Sequence, residues 1–166
     1  MKLNGTIPPI NKLDNGLQQL TNCRRLALST NCIEKMMTFP PLRNLEILSL
    51  GRNQLKKIQG LDEVGQTLKE LWLSYNQIEK LDGLNTCIHL HTLFIAQNKI
   101  KVWDEIGRLA PLPEIRNLLL VGNPIYEDQR MDSRVQVIRR CPQIEVLDTH
   151  LTSEQTRRQA EETKQG

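Results

Sequence analysis

Three histidines and four cysteines are the first side chains of this chain to consider as metal ligands or nucleophiles. The cysteines, at positions 23, 32, 87 and 141, form no Cys-x-x-Cys pair and have no histidine at zinc-site spacing. His89 and His91 flank the start of a predicted strand without an acid or nucleophile beside them, and His150 lies near the C-terminus. No glycine-rich phosphate loop is present, and the carboxylates show no convergent pairing. The sequence therefore predicts no enzyme, no cofactor and no metal site, and four reduced thiols indicate a reducing, cytoplasmic compartment.

Charge and hydropathy narrow the classes of partner. The chain has 22 basic and 19 acidic residues, and a net charge of +3 is too small to indicate a nucleic-acid partner. No apolar run approaches the ~18 residues of a membrane-spanning helix. The first residues, MKLNGTIPPINKL, lack the pattern of a signal peptide. We expect a protein that binds neither nucleic acid nor a membrane and that is monomeric on its own.

An internal repeat must position any functional side chain. The spacing L-x-x-L-x-L-x-x-N-x-L/I is matched five times, with Cys23, Ile95 and Ile115 in place of a leucine, and its asparagines lie 22, 23, 22 and 25 residues apart. These asparagines are Asn31, Asn53, Asn76, Asn98 and Asn123. A degenerate copy precedes them at residues 3–10, and a partial copy follows at Ile144–Asp148. Imperfect end copies are typical of a solenoid, because a terminal repeat must shield the core from water.

The repeat predicts an α/β fold, a leucine-rich-repeat solenoid with about six repeats of 22–25 residues. The leucines of each short strand point into the core, and stacked strands form a parallel sheet on the concave face. Short helices lie on the convex face, and Trp103 is predicted to be a core residue there. The five asparagines are predicted to form a structural ladder, each amide bonding backbone groups of neighbouring turns.

The organisation of the C-terminal part is predicted from amphipathicity. Residues 1–148 form the leucine-rich-repeat domain, which ends in a cap with a helix over about 126–140. The apolar side of this helix comprises Met131, Val135 and Ile138. Residues 149–166 are predicted to be a projecting or frayed tail, with a short helix over residues 154–163.

The exposed positions of the predicted strands carry an apolar patch. Trp72, Phe94, Leu119 and Val121 cluster on the outward face of the sheet, where a soluble monomer has no reason to expose them. Neighbouring positions extend the predicted partner-binding surface to Ile47, Glu70 and Tyr75. Two alternatives stay open: the tail helix or a loop could fold back over the patch, or the patch could have no function.

Basic residues form a second candidate surface. Lys35, Lys57 and Lys80 occupy the same position in successive repeats, and Arg157 and Arg158 add positive charge in the tail. These five residues are candidate contacts for an acidic partner. The simpler interpretation of the lysines is a solvated edge that keeps the solenoid soluble and blocks edge pairing.

Several segments are more specific than the general repeat. The stretches LSTNCIEK, LEILSLGRNQLKKIQGL, VGQTLKELWLSYNQIEKL and LLLVGNP resemble the leucine-rich-repeat light chain of outer-arm axonemal dynein. The resemblance covers about residues 7–148, and ILSLGRN and ELWLSYN are its most specific parts.

The resemblance implies a regulatory subunit in the axoneme of cilia and flagella. It implies binding to a dynein heavy chain at the microtubule-binding domain on the stalk, with tubulin as a candidate second contact. The alternative is a scaffold that docks another globular partner, such as a phosphatase or a spliceosomal RNA-recognition protein.

Overall fold

The computed structural model describes residues 1–162 of the chain as a single curved stack of parallel strands. Five strands have three residues each, and two shorter ones complete the sheet in the order of the chain. The strands are β1 (Arg25–Ala27), β2 (Ile47–Ser49), β3 (Glu70–Trp72), β4 (Thr92–Phe94), β5 (Asn117–Leu119), β6 (Val146–Leu147) and β7 (His150–Leu151). Only β7 runs antiparallel to its neighbour. The predicted leucine-rich-repeat solenoid is confirmed.

The register of the sheet follows directly from the leucine spacing. Leu26, Leu48, Leu71, Leu93 and Leu118 are paired across adjacent strands, and each is fully buried. A second row of buried leucine or isoleucine follows two residues later in every repeat. Since alternate residues of a strand point to opposite faces, the residue between the two rows faces the concave side. The same spacing therefore builds the core and sets the positions available to a partner.

The ladder asparagines hold consecutive turns together. Asn76 donates from its amide nitrogen to the carbonyl oxygens of Leu50 and Leu73, both at 3.0 Å, and its oxygen accepts from the Leu55 amide at 3.0 Å. Asn53 and Asn98 make the equivalent bonds one turn away on either side. All five asparagines are buried. Each of these side chains satisfies backbone groups of its own turn and of the turn before it.

The residue before each ladder asparagine adopts a left-handed backbone conformation. The φ angles are 57° at Thr30, 52° at Arg52, 60° at Tyr75, 54° at Gln97 and 80° at Gly122. A non-glycine residue pays a steric cost in this region, so only Gly122 adopts it freely. This conformation turns the chain so that the next residue, the ladder asparagine, can hydrogen-bond the carbonyl groups at the strand ends. These hydrogen bonds offset the steric cost of the left-handed conformation.

The number of complete repeats is smaller than predicted. The five three-residue strands enclose four full turns, whereas the sequence predicted about six repeats. The first copy contributes only a single bridge, from Lys2 to Ala27, and the last contributes the two residues of β6. Both end copies lack the full leucine–asparagine pattern, so neither closes a complete turn.

The convex face contains fewer helices than predicted. Within residues 1–162 the return segments of the repeats hold one short helix, α1 (Asp104–Gly107), and a 3-10 turn at Asn15–Gln19, while the others are hydrogen-bonded turns or extended chain. Trp103 precedes α1 and is only partly buried, in contrast to the predicted core position. Its ring stacks on Tyr126 at a centroid distance of 6.1 Å, at the margin of the core.

The C-terminal cap also differs from the single helix predicted over 126–140. A 3-10 turn at Pro124–Glu127 is followed by irregular chain and then by α2 (Ser133–Arg140). Asp132 caps α2, because its carboxylate accepts from the amide of Arg134 at 2.9 Å. Helix α2 buries Val135 and Ile138 as expected, whereas Met131 lies before the cap and is exposed.

The tail does not project from the body over residues 154–162. Helix α3 (Glu154–Glu162) packs on α2 and buries Ala160. Arg157 anchors it, because its guanidinium donates to the carbonyl oxygens of Pro142 and Ile144, each at 2.8 Å, and to the Thr152 hydroxyl at 2.6 Å. The expectation of a projecting or frayed tail is therefore wrong for this segment. Residues 163–166, which belonged to the same prediction, lie outside the described part of the chain.

We predict that Asn76→Ala lowers the free energy of unfolding by about 1–3 kcal/mol, because buried backbone groups lose their partners. Asn85→Ala is the control, since Asn85 is exposed outside the ladder and its replacement should change stability by less than about 0.5 kcal/mol. Urea unfolding of both variants gives the comparison. Equal stability of the two would show that the ladder does not hold the turns together.

We predict that Arg157→Ala destabilises the protein by about 1.5–3 kcal/mol, the usual range for hydrogen bonds to a charged donor. Arg158 is the matched control, because it is exposed and only pairs with Glu154 one turn away, so Arg158→Ala should cost about 0.5 kcal/mol or less. Thermal melting of the two variants distinguishes them. A projecting tail would give the same small change for both.

Candidate functional site

Two stacked aromatic rings lie at the centre of the concave face. Trp72 on β3 and Phe94 on β4 are direct neighbours in the register, with ring centroids 5.7 Å apart and an interplanar angle of 26°. Both are partly buried, and the Trp72 indole N–H donates to the Glu70 carboxylate at 3.1 Å. The stack and this hydrogen bond fix the orientation of Trp72 before any partner arrives.

The sheet brings the other predicted apolar residues next to this pair. Ile47 and Glu70 are neighbours on β2 and β3, and Leu119 follows Phe94 on β5. Val121, just after β5, is 45% exposed, and Tyr75, just after β3, is 47% exposed. The seven residues predicted from sequence thus lie on one face, and their contact with a partner stays a prediction.

Helix α3 leaves this face open. It packs on α2 at the C-terminal end of the solenoid, and β7 extends the sheet edge beyond β6. Within residues 1–162 no segment of the tail lies over Trp72 or Phe94. Over residues 154–162, therefore, the tail helix does not cover the apolar patch.

Two arginines at the site were not singled out from the sequence. The guanidinium carbon of Arg25 lies 5.7 Å from the Trp72 ring centroid, and that of Arg52 lies 4.2 Å from the Tyr75 ring centroid. Stacking of a guanidinium on an aromatic face is a favourable cation–π contact. The repeat alignment does contain a signal for Arg52, because it occupies the same left-handed position before the asparagine as Tyr75.

The lysine row lies apart from the sheet. Lys35, Lys57 and Lys80 each follow a ladder asparagine by four residues and are exposed. Lys35 and Lys57 line a shallow groove of about 400 Å³ together with Glu34 and Gln59. Their contact with an acidic partner stays a prediction, as does that of the exposed Arg158. Arg157 differs, because its guanidinium is held by the cap and has a structural role in place of the predicted contact.

The histidines and cysteines do not converge. His89 lies 3.1 Å from the Glu114 carboxylate at an exposed position, and His91 contacts the neighbouring Thr92 hydroxyl at 3.0 Å. Over residues 1–162 no group of three or more histidine, cysteine or acidic residues is placed to hold a metal ion. Burial raises the pKa of the Cys87 thiol to about 11 and that of the Cys141 thiol to about 12. Both thiols stay protonated near neutral pH.

The described part of the chain contains no candidate membrane-spanning helix. No helix within residues 1–162 is long and apolar enough to span a bilayer.

Comparison with known proteins identifies the family. A family model described as Leucine Rich repeats (2 copies) matches residues 66–114. The chain is 44% identical over 153 residues to dynein axonemal light chain 1 of Chlamydomonas reinhardtii, with 89% of this chain and 77% of the relative covered. It is 46% identical over 150 residues to the Homo sapiens protein of the same name, covering 89% of this chain and 79% of the relative.

The chain belongs to the axonemal dynein light chain 1 family. This confirms the resemblance inferred from ILSLGRN and ELWLSYN.

Solved structures share the fold at lower identity. The Drosophila melanogaster SNF/U2A′ complex contains a chain with a TM-score of 0.62 and 19% identity, covering 97% of this chain and 78% of that one. An internalin, InlF, of Listeria monocytogenes has a TM-score of 0.60 and 23% identity, covering 75% of this chain and 37% of that one. At these identities the likeness concerns the leucine-rich-repeat fold alone.

We predict that iodoacetamide at pH 8 modifies Cys23 and Cys32 but not Cys87 or Cys141 in the folded protein. The reactive species is the thiolate, which the raised pKa values of the two buried thiols suppress. All four should react in denaturant, where the pKa values return to their ordinary range. Peptide mass spectrometry after timed labelling gives the answer, and labelling of Cys87 at the rate of Cys32 in the folded protein would contradict it.

Proposed function

We propose that this chain is a non-catalytic regulatory subunit of axonemal outer-arm dynein. Its concave face binds a dynein heavy chain at the microtubule-binding domain on the stalk, and this contact tunes how the motor engages the microtubule. The site of action is the axoneme of cilia and flagella. The observation that carries the proposal is the open Trp72–Phe94 stack on a chain related to axonemal light chains.

Energetics favour the stack as the anchor of such a contact. Covering about 100 Å² of apolar surface contributes about 2.5 kcal/mol, and tryptophan is the residue type most enriched at binding hot spots. Trp72 is already oriented by Phe94 and Glu70, so binding sacrifices little side-chain entropy. A preformed aromatic platform suits a permanent subunit, because slow dissociation depends on well-packed, desolvated groups.

The side chains of the described residues are suited to binding a partner, which fits a regulatory role without catalysis. The described residues offer hydrogen-bonding and apolar surface, with two thiols held protonated and the histidines dispersed. A protein of this kind acts on a motor through differential binding. A ligand shifts a conformational equilibrium only by the difference between its affinities for the two states. The light chain would therefore have to bind one state of the stalk domain more tightly than the other.

We predict that Trp72→Ala weakens binding to a recombinant heavy-chain microtubule-binding domain by at least about thirtyfold. It should lower the free energy of unfolding by only about 1 kcal/mol, the contribution of one aromatic stack, because Trp72 points away from the repeat core. Isothermal titration calorimetry gives the affinity, and thermal melting gives the stability.

Trp103→Ala is the internal control for the same residue type on the opposite face. Trp103 packs against the core margin and stacks on Tyr126, so its loss should cost about 3 kcal/mol of stability. The folded fraction should bind the heavy-chain domain as the wild type does. Normal binding by a well-folded Trp72→Ala variant would show that the concave aromatic pair is not the interface.

A further inference from the structure

A groove lies on the concave face immediately beside the aromatic pair. It has a volume of about 430 Å³ and runs over β1 and β2, where the outward residues are small. Ala27 and Ser49 form its floor on the strands, and Gly51 continues the floor beyond β2. Trp72, on the next strand, stands above these small residues and forms the wall. The concave face is therefore raised at the Trp72–Phe94 pair and recessed over β1 and β2, where the groove is wide enough for a partner side chain.

Positively charged side chains lie around the rim of this groove. Arg25 begins β1 and Arg52 follows β2, so the two guanidinium groups lie towards opposite ends of the strands, and Lys2 adds a third cation at the rim. Within residues 1–162 neither arginine pairs with a carboxylate. The guanidinium carbon of each arginine lies over an aromatic ring, and a guanidinium has five N–H donors that such a contact does not consume.

The carboxylate of Glu70, on the strand beside the groove, is already engaged. Glu70 neighbours Ile47 in the sheet, and its carboxylate accepts the Trp72 indole N–H. It does not reach within ion-pair distance of Arg25 or Arg52 in the described chain. The groove therefore keeps an excess of positive charge and unused donors next to an apolar platform.

We infer that the groove receives an acidic side chain from a segment of the heavy-chain domain, whose apolar residues cover Trp72 and Phe94. The inference rests on the proposed function and adds the chemistry of the partner: an amphipathic segment with a carboxylate beside its apolar face. Carboxylates match arginine because two parallel N–H groups can donate to two oxygens. The cations lie on the β1–β2 side of the aromatic pair, so the carboxylate of the segment would have to lie on that side of its apolar residues.

The test compares two double variants with the same change in net charge. Arg25→Gln with Arg52→Gln removes the cations at the groove, and Arg24→Gln with Arg43→Gln removes two exposed arginines outside it. Glutamine is compatible with the left-handed backbone of position 52, because Gln97 has the same conformation in its own repeat. Thermal melting verifies that both variants fold. The probe is a recombinant microtubule-binding domain of an outer-arm heavy chain, titrated at low and physiological salt.

We expect the groove variant to bind at least about tenfold more weakly at physiological salt, the loss typical of charge-assisted hydrogen bonds. Its affinity should also depend less on salt than that of the wild type. The control should change affinity by less than about threefold, because long-range attraction between exposed charges is screened. A heavy-chain residue should then be found whose Asp→Asn or Glu→Gln exchange weakens wild-type binding but not that of the groove variant.

The outcomes separate this inference from the proposed function. Unchanged binding of the groove variant, together with weak binding of Trp72→Ala, would overturn the acidic-segment inference and leave the sheet face as the interface. Equal losses in the groove variant and the control would also overturn it, because net charge alone would then explain the effect. Normal binding of both the groove variant and Trp72→Ala would overturn the sheet face itself.

Discussion

The buried asparagine ladder is the interaction on which the rest of the structure depends. The five longest strands have only three residues each, so the backbone bonds between neighbouring strands are few. The ladder amides add bonds that cross from one turn to the next at a depth where water cannot compete. They also fix where each strand ends, and therefore which residue faces the concave side. A displaced asparagine would move the Trp72–Phe94 platform as well as weaken the stack.

At the C-terminal end of the solenoid, the carboxylate of Asp148 takes the place of a ladder asparagine. Asp148 follows the last parallel strand, and one of its carboxylate oxygens accepts from the amides of Leu120 at 2.7 Å and Val121 at 2.9 Å. Its other oxygen accepts from the Tyr126 hydroxyl at 2.6 Å, and burial together with this bond raises the pKa of Tyr126. The aspartate can only accept, so it ends the chain of bonds where no further turn follows. Helices α2 and α3 then cover the open end of the core.

The sequence predicted the parts of the fold that depend on local spacing. The leucine and asparagine positions recur at nearly constant intervals, and these alone determine the strands, their register and the outward row that includes Trp72 and Phe94. The docking of α3 could not be predicted, because it depends on Arg157 reaching carbonyl groups more than ten residues away. The placement of Arg25 and Arg52 depends on contacts with rings two strands and one strand away. Contacts between side chains on different strands produce no periodic pattern in the sequence.

The shortness of the strands sets the dimensions of what can bind. Three residues at about 3.3 Å each give a belt about 10 Å wide, and five strands spaced by about 4.8 Å make it about 19 Å long. A single α-helix is about 10–12 Å in diameter and rises about 5.4 Å per turn. The footprint of this face therefore matches one helix of three to four turns laid across the strands. A broader element would also have to rest on the turns that flank the strands, and the left-handed residues lie in the turns on one of these two sides.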